Sequence, residues 1–324
     1  MTHTFPRLLG DVGGTNARFG WQDGSTADIQ HVLVLPCAAH ETLEAAIRSY
    51  LSLKNLPAPR TCALGIANPI KGDAVRMTNH HWSFSISEMQ RNLNLEQFKV
   101  INDFTALALA LPFIPASNLV QVGGASDMAQ SIAPKALIGA GTGLGVSGLI
   151  PSHQIGHWLA IAGEGGHTTL AAQSDDEYRV IELIRQRYGH VSAERVLSGQ
   201  GLVDLYLALR QLQKQVPVDV SGAAEITAWA LQDKDPLALQ SLAMFTGFLG
   251  SVAGDLALTL GARGGVYLGG GMVPRWLGWF ETSNFRERFE AKGRFSTYLK
   301  DIPVWVINAP ESPALLGASR SFND

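Results

Sequence analysis

The sequence predicts an α/β protein built from two similar halves. Apolar runs of strand length alternate along the chain with stretches whose apolar residues recur at helical spacing, and this alternation is typical of a mostly parallel sheet. In addition, LGDVGG at 9–14 can be aligned with IGAGTG at 138–143. A weak internal repeat of a strand and a glycine turn indicates two similar α/β units.

The elements of the first half are predicted from local pattern. Residues 8–35 alternate apolar runs with turn residues, which indicates two or three strands. The segment at 41–51 places its apolar residues on one helical face and predicts a helix. Further predicted elements are a buried strand at 62–67, a helix at 88–95, a strand at 98–101 and a helix at 104–111 that Pro112 stops.

The pattern restarts in the second half. The apolar run at 237–260 is long enough to imitate a membrane span, but it contains Gln240, Ser241, Thr246, Ser251, Asp255 and Thr259. Those polar groups would be costly in lipid, so a buried helix is predicted instead. The other predicted elements are a strand, glycine turn and strand at 136–150, a helix at 176–189, a strand and glycine turn at 264–273, and a closing helix at 310–322.

Composition narrows the class of protein. The 324 residues allow two domains or one large one, and 46% hydrophobic with 16% charged residues is typical of a well-packed globular chain. A net charge of −3 argues against nucleic-acid binding through a broad basic surface. The two cysteines, Cys37 and Cys62, give neither a disulfide framework nor a Cys-based zinc site, and they suit free thiols in a cytosolic enzyme. The N-terminus lacks the pattern of a secretory signal.

Glycine-rich turns follow apolar runs at residues 10–14, 139–143 and 269–271. Glycine inside a strand usually marks a bend or a ligand that approaches the backbone. A phosphate group needs backbone N–H groups with no side chain in the way, and such turns supply them. Tight hairpins also use glycine, but three turns, each after an apolar strand, favour phosphate binding. No Walker lysine accompanies them, and residues 146–150 continue as strand rather than as the helix of a dinucleotide fingerprint.

Three polar residues of the first half lie at positions that are typical of ligand-binding or catalytic residues. Asp11 lies beside the first glycine turn, where a carboxylate suits a phosphate site if a cation lies between them; the alternative is a turn cap. Asn102 and Asp103 follow a strand and open a helix. Open α/β sheets place ligands at that position, although both residue types also act there as plain helix caps.

Two segments of the second half carry side chains suited to a sugar, whose hydroxyls both donate and accept hydrogen bonds. In Glu164-Gly165-Gly166-His167 the glycines allow a tight turn, so that the acid and the imidazole can converge. A structural histidine is the alternative. Glu194 follows Ser192 by two positions, so its plain interpretation is an acidic residue in the first turn of a helix.

Five motifs in order resemble the bacterial glucokinase family, which belongs to the actin-like ATPase superfamily of sugar kinases. The resemblance extends from Leu8 to about Gly317. The motifs are GDVGGTNARFG (10–20), INDFTALALA (101–110), LIGAGTGLG (137–145), EGGHTTL (164–170) and LGGGMVPR (268–275), and TNHHWSFS (78–85) and SAERVLSGQGL (192–202) are also similar to family segments.

The resemblance implies two actin-like, ribonuclease H-like α/β domains with a cleft between them. The smaller domain would comprise 1–112 and about 301–324, because the closing helix returns to the N-terminal domain. The larger domain would comprise 113–300.

The resemblance also implies an activity: ATP-dependent phosphorylation of D-glucose to glucose 6-phosphate, the first step of glycolysis, in the cytoplasm. Asp103 matches the general base for the 6-hydroxyl of the sugar, and Asp11 lies where Mg²⁺ is expected. The residues expected to bind the sugar are Asn102, Asp103, Glu164, His167 and Glu194. The residues expected to bind ATP are Gly10, Asp11, Val12, Gly13, Gly14, Thr15, Gly141, Thr142, Gly143, Gly269, Gly270 and Gly271.

Other functions stay open on the same motifs. A kinase for fructose, mannose or an N-acetylhexosamine would use the same glycine turns. A sugar-sensing regulator usually adds a DNA-binding module, for which a first strand at about Leu8 leaves no room. No cysteine follows Cys62, which disfavours the zinc-loop group of repressor-type sugar kinases. The expected partners are small molecules, with neither nucleic acid nor a membrane; the family is often dimeric, but no stripe in the sequence identifies an interface.

Overall fold

The structure, a computed structural model, describes residues 5–25, 28–125, 132–154, 156–310 and 312–323. Residues 1–4, on which the expectation about a secretory signal partly rests, lie outside the described residues. The strands are β1 (Arg7–Val12), β2 (Asn16–Gln22), β3 (Gln30–Pro36), β4 (Thr61–Ile66), β5 (Ala74–Arg76), β6 (Ser83–Ser85), β7 (Gln97–Asn102), β8 (Leu119–Gln121), β9 (Lys135–Ala140), β10 (Leu144–Pro151), β11 (Trp158–Ala162), β12 (Val266–Gly269) and β13 (Val304–Ile307). The helices are α1 (Leu43–Leu53), α2 (Ile86–Asn92), α3 (Asp103–Ala110), α4 (Asp175–Tyr188), α5 (Ala193–Val196), α6 (Gly199–Leu212), α7 (Ala223–Leu231), α8 (Pro236–Leu260), α9 (Leu277–Phe280), α10 (Phe285–Glu290), α11 (Ser296–Lys300) and α12 (Ala314–Arg320).

Every element that local pattern predicted is present, and the differences lie at element ends. The helix expected at 88–95 is α2, which begins at Ile86 and ends at Asn92. The closing helix expected at 310–322 is the shorter α12. The sequence did not predict the hairpin β5–β6, the strands β8, β11 and β13, or the helices α6, α7, α9, α10 and α11.

Contacts divide the chain into two compact units. The first contains the described residues of 1–115, 149–162 and 309–324. Its five-stranded sheet has the order β3-β2-β1-β4-β7. Because β4 runs parallel to both β1 and β7, the register places Val12, Ile66 and Asn102 side by side. The carboxyl ends of three strands therefore meet at one sheet edge, where α/β proteins place ligands.

Helix α3 is held at this edge by close packing within the first unit. A side chain on Gly317 of α12 would place its Cβ 1.6 Å from the carbonyl oxygen of Ala106, so the backbones of α3 and α12 are in direct contact. On strand β4, a Cβ at Gly65 would lie 3.1 Å from the Cβ of Ala106. Glycines on two sides thus let α3 approach its neighbours without an intervening side chain.

The second unit contains the described residues of 116–148 and 163–308. Its strands β9, β12, β13 and β8 and the start of β10 belong to a six-stranded sheet of the order β11-β10-β9-β12-β13-β8, in which β12 runs parallel to β9 and to β13. Strands β10-β9-β12-β13 repeat the order of β2-β1-β4-β7, with the two aligned glycine turns at equivalent places. This correspondence confirms the internal repeat that the sequence indicated. The predicted domain ranges stay a prediction: by contacts, 149–162 groups with the first unit and 301–308 with the second.

The apolar run at 237–260 forms α8, the one helix in the described residues that is long and apolar enough to cross a membrane. In the most apolar part of this helix, 61% of the residues are buried inside the protein. Helices α6, α7 and α10 pack against it. A Cβ at Gly250 would lie 2.3 Å from the carbonyl oxygen of Phe285, so α10 lies directly on its backbone. The segment is therefore a buried core helix, as its polar residues predicted.

Lys135 makes the stability of the second unit depend on pH. Its ammonium group donates to the Gly264 carbonyl oxygen at 3.0 Å, and burial lowers the pKa of Lys135 from 10.5 to about 8. At this position the unfolded chain therefore binds more protons than the folded protein above about pH 8, so the contribution of Lys135 to the free energy of unfolding should rise with pH. We expect Lys135→Met to remove this rise in urea titrations between pH 8 and 10. In the whole chain this rise is opposed at alkaline pH, because burial also raises the pKa of the Cys62 thiol, of the Cys37 thiol and of Tyr267, the last to about 12. The contribution of Lys135 is therefore the difference in slope between the parent chain and Lys135→Met. An unchanged slope in the variant would contradict the assignment.

Candidate active site

The turn between β1 and β2 is a tight glycine turn at the ligand edge of the first sheet. The Gly13 N–H donates to the Asn16 carbonyl oxygen at 2.9 Å, and a Cβ at Gly13 would meet only that oxygen, at 3.6 Å. A Cβ at Gly14 would lie 2.8 Å from Asn79, so this glycine lets the 78–81 loop approach. Gly10 faces Leu64 with a would-be Cβ distance of 2.4 Å. Packing thus accounts for Gly10 and Gly14, whereas Gly13 leaves the turn open to a ligand.

Asp11 lies on β1 just before this turn. It is the cross-strand partner of Arg18, whose Nη1 lies 3.8 Å from its Oδ2. Burial raises the pKa of Asp11, while a hydrogen bond from Ser312 and the charge of Arg18 oppose this effect. The carboxylate is therefore held in place by a cation and a hydroxyl. Sequence reasoning missed Arg18, although strand alternation across a short hairpin would have placed it opposite Asp11.

Asn102 and Asp103 stand at the end of β7 and the start of α3. The Asn102 Oδ1 accepts from the N–H groups of Phe104 and Thr105 at 2.9 and 3.1 Å, so Asn102 is the N-cap of the helix. The Asp103 Oδ1 accepts from the Asn102 side-chain amide and from the Phe104 N–H, both at 2.9 Å. Both of these bonds fall on Oδ1, so they do not occupy Oδ2, the oxygen that could meet a substrate. Burial, together with the nearby charge of Asp11, raises the pKa of Asp103.

The carboxyl groups of Asp11 and Asp103 are too few to bind a divalent cation alone, but they can bind one that is also coordinated by a substrate. Within the described ranges, no group of three or more His, Cys, Asp or Glu side chains could hold a metal ion. Mg²⁺ usually keeps several waters and binds one or two carboxylates plus substrate phosphates. The electrostatic repulsion between Asp11 and Asp103 that raises the Asp103 pKa is the kind of interaction that a cation relieves. The residues present therefore fit Mg²⁺ arriving with a nucleotide.

In the second unit, the turn between β9 and β10 lies against the start of α6. The Gly141 N–H donates to the Gly143 carbonyl oxygen at 2.8 Å, and the Gly199 N–H donates to the Gly141 carbonyl oxygen at 2.9 Å. A Cβ at Gly141 would meet no atom within 4 Å. The positive end of a 14-residue helix thus adjoins an open glycine turn, an arrangement that suits an anion. Thr142 lies at the tip of this turn.

The same turn holds Glu194. The Leu144 N–H donates to the Glu194 Oε2 at 2.9 Å, and a Cβ at Gly143 would come within 2.5 Å of that oxygen. Gly143 is therefore needed for the approach of Glu194. The Nδ1 of His167 lies 3.8 Å from Glu194 Oε1. The structure thus brings together two of the predicted sugar-binding residues beside a predicted phosphate-binding turn.

Glu164 precedes the short 3-10 turn Gly165–His167 and does not cap it with its side chain. Its carbonyl oxygen accepts from the His167 N–H at 3.0 Å. A Cβ at Gly166 would lie 2.2 Å from the Leu144 carbonyl oxygen, so the turn lies tightly on β10. The exposed Glu164 side chain is left available to a ligand.

The third glycine turn follows β12. A Cβ at Gly270 would lie 2.4 Å from the carbonyl oxygen of Ala140, and its φ of +77° favours glycine. Gly269 lies next to Gly139 in the register of β12 and β9. A Cβ at Gly271, by contrast, would meet nothing within 4 Å. This turn therefore combines strand packing with an open position.

Comparison with known proteins identifies the family to which the chain belongs. A sequence model of the family described as Glucokinase matches residues 8–324. The chain belongs to the glucokinase family. A glucokinase of Aromatoleum aromaticum is 51% identical over 99% of this chain and 96% of its own length. A glucokinase of Neisseria meningitidis serogroup C is 49% identical over 99% of this chain and 95% of its own length.

A solved structure supports the same family. The crystal structure of a glucokinase from an Antarctic psychrotroph is 34% identical, with a TM-score of 0.89, and the match covers 98% of this chain and 99% of that chain. Membership of the glucokinase family confirms the resemblance drawn from the motifs and the predicted actin-like α/β fold class. The chain is accordingly an enzyme, a kinase of this family.

Proposed function

We propose that this chain transfers the γ-phosphoryl group of ATP to the 6-hydroxyl of D-glucose, giving glucose 6-phosphate and ADP. The observation that carries the proposal is the placement of Asp103. It stands at the ligand edge of the first sheet, with one carboxylate oxygen held by two hydrogen bonds in which the other oxygen takes no part. Family membership supplies the substrate class, because the relatives with about half of their residues identical are named glucokinases.

In this proposal Asp103 is the general base. Its Oδ2 accepts the proton of the 6-hydroxyl as that oxygen attacks the γ-phosphorus, and the bond to the bridging oxygen of ADP breaks. The raised pKa of Asp103 makes the carboxylate a better proton acceptor than an exposed aspartate. Asn102 keeps the carboxylate oriented through its amide and would hydrogen-bond the sugar with its remaining polar capacity.

The glycine turns hold the nucleotide in this proposal. Backbone N–H groups of 10–15 bind its outer phosphates, those of 141–143 bind phosphates as well, and the turn at 269–271 lies under the adenosine. Asp11 would hold Mg²⁺, which supplies positive charge to the phosphoryl oxygens during transfer. Arg18 keeps the Asp11 carboxylate in position.

In the second unit, the sugar is held by hydrogen-bonding side chains in this proposal. Glu194 keeps one oxygen on the Leu144 N–H and presents the other beside His167. Glu164 contributes an exposed carboxylate from the residue that precedes the turn of His167. A sugar hydroxyl can donate to a carboxylate and accept from an imidazole N–H at once, which suits this trio.

The setting of the reaction also belongs to the proposal. Glucose phosphorylation would be the first step of glycolysis and would take place in the cytoplasm. No nucleic acid or membrane is required for it, and a homodimer stays a prediction from the family.

Replacing Glu194 with glutamine tests the sugar site. We expect the variant to raise the KM for glucose by about 10-fold or more with a smaller change in kcat, because an amide N–H replaces the half-buried carboxylate oxygen that accepts from a substrate hydroxyl. Glutamine retains an oxygen for the Leu144 N–H, so the turn stays intact. Glu182→Gln, in a surface ion pair of α4, serves as the control. An unchanged KM would remove Glu194 from the sugar site.

The substrate itself is tested with a coupled ATP–magnesium assay on glucose, fructose, mannose and N-acetylglucosamine. Turnover with glucose at the highest kcat/KM supports the proposal. A preference for another sugar would retain the fold and the base while changing the substrate. No turnover on any of the four would contradict the proposed activity.

A further inference from the structure

Glu194 belongs to α5, a helix of only four residues, which cannot hold its own orientation by backbone bonds alone. Ser192 caps it, with its hydroxyl accepting from the Arg195 N–H at 3.2 Å. The Ala193 N–H donates to the Thr168 carbonyl oxygen at 2.8 Å. These bonds determine where α5 begins, but they do not determine the directions of its side chains, which depend on packing. The packing of Arg195, the neighbour of Glu194, is therefore informative.

The guanidinium of Arg195 lies over the aromatic ring of Tyr188, with 3.9 Å between its Cζ and the ring centroid. Tyr188 is the last residue of α4, and the chain turns immediately afterwards at Gly189, whose φ is +75°. The Gly189 N–H donates to the Arg185 carbonyl oxygen at 2.7 Å. The end of α4 is thus closed tightly, and the ring of Tyr188 is presented to α5.

Behind the stack stands a buried carboxylate. Asp204 of α6 is 1% exposed, and its Oδ1 lies 3.8 Å from Arg187 Nη1 and 3.3 Å from Gln200 Nε2. Burial, followed by the neighbouring charge of Asp204, raises the pKa of the Tyr188 phenol. The hydroxyl end of Tyr188 therefore faces α6 while its ring face carries Arg195. Three helices converge on one aromatic side chain.

We propose that the stacked pair Tyr188–Arg195 is the positioning device that holds Glu194 in place for the sugar. The proposal rests on the proposed role of Glu194 in binding glucose. The stack prevents α5 from rotating about its short axis, so that the Glu194 carboxylate stays between the Leu144 N–H and His167. Neither Tyr188 nor Arg195 touches substrate; each acts through Glu194.

A planar guanidinium on an aromatic face suits this task. The ring quadrupole of Tyr188 attracts the positive charge of the guanidinium, and the contact restricts both side chains to one geometry. A displacement of about 1 Å at a substrate-positioning group can cost up to about 10²-fold in rate or affinity. Loss of the stack should therefore appear in sugar binding before it appears in chemistry.

The test compares Tyr188→Ala, Tyr188→Phe and Arg195→Met in the full chain, with glucose kinetics at saturating ATP and magnesium. We expect Tyr188→Ala and Arg195→Met to raise the KM for glucose by about 10-fold with kcat within about 2-fold. Tyr188→Phe keeps the ring under Arg195 and should stay within about 2-fold of the parent KM. Arg195→Met keeps the side-chain stem, so it serves if Tyr188→Ala does not fold.

A matched stack provides the control. Arg320 lies 4.0 Å above the ring of Phe113, and Phe113 is 39% exposed, against 40% for Tyr188. We expect Phe113→Ala to lower the melting temperature by an amount similar to that of Tyr188→Ala while leaving the KM for glucose unchanged. A rise in KM in this control would mean that general loss of stability raises KM, and it would overturn the assignment to Tyr188.

A double-mutant cycle separates positioning from a merely structural role. In a Glu194→Gln background, Tyr188→Ala should raise the KM for glucose no further, because the group that it positions is already lost. Additive effects would overturn the inference. If Glu194→Gln alone leaves KM unchanged, the proposed sugar site fails and the inference fails with it. If Glu194→Gln raises KM and Tyr188→Ala does not, only the inference fails.

Discussion

Replacing Asp103 with asparagine is expected to lower kcat for glucose phosphorylation by at least about 10²-fold, the low end for the loss of one acid–base group. The amide can keep its oxygen toward Phe104 and the Asn102 amide, the two donors that hold Oδ1. Its nitrogen then replaces the oxygen that would take the proton. The fold should survive, and the KM for glucose should change much less than kcat.

The control for Asp103→Asn is a residue at the same helix position without a proposed role. Asp175 follows the Ser174 cap of α4 as Asp103 follows the Asn102 cap of α3. Asp175→Asn removes one exposed carboxylate from the first turn of a helix and should leave kcat within about 2-fold, because Asp175 has no proposed contact with substrate. The lost interaction with the helix dipole lowers only the free energy of unfolding, by about 0.3–1 kcal/mol. Near-normal turnover in folded Asp103→Asn would remove the base assignment.

The pH dependence offers a second readout on Asp103. Burial and the charge of Asp11 raise its pKa, and a general base is inactive when protonated. The acidic limb of kcat/KM should therefore lie above the ordinary titration range of an aspartate. In Asp11→Asn one cause of the shift is removed, so the acidic limb should move to lower pH in whatever activity remains.

The second large effect concerns stability. Glu177 of α4 is 4% exposed and pairs with Arg288 of α10 through both carboxylate oxygens. Arg288 also donates to the Ser251 hydroxyl at 3.0 Å, and the Gln173 N–H donates to Glu177 at 2.7 Å. We expect Arg288→Met to lower the free energy of unfolding by about 3–5 kcal/mol, because it leaves a buried carboxylate without its counter-charge.

Denaturant titration measures this loss, and two further variants interpret it. In the double variant Glu177→Gln with Arg288→Met the uncompensated charge is absent, so a large part of the stability should return. Arg179→Met breaks an exposed pair with Asp176 and should change stability by less than about 0.5 kcal/mol. A loss in Arg288→Met no larger than in Arg179→Met would show that the buried pair contributes little.

Much of the fold could be predicted because its signals are local. Strand length, helical spacing and turn residues lie within ten or so neighbours, so the strands β1, β4, β7 and β9 and the helix α8 were found near their observed ends. The hairpin β5–β6 and the strand β13 were not predicted. They are only three and four residues long, too short for a periodic pattern to stand out.

The candidate site, too, was predicted only in part from the sequence. The motifs located Asp103, Glu194 and the glycine turns, since each follows a strand or begins a helix. Residue type alone did not show why individual glycines are there. A Cβ at Gly143 would collide with Glu194, whereas a Cβ at Gly141 would meet nothing. Only a three-dimensional neighbour distinguishes a glycine that admits a side chain from one that leaves room for a ligand.

By itself the sequence determined the α/β class, the internal repeat and the family, because these rest on local patterning and on motifs in a fixed order. The tertiary structure decided which side chains meet. The pair Glu177–Arg288 joins residues 111 positions apart, and the stack of Arg195 on Tyr188 joins the ends of two helices. Contacts of this kind depend on how whole elements pack, and packing is a property of the folded chain that no short stretch of sequence encodes.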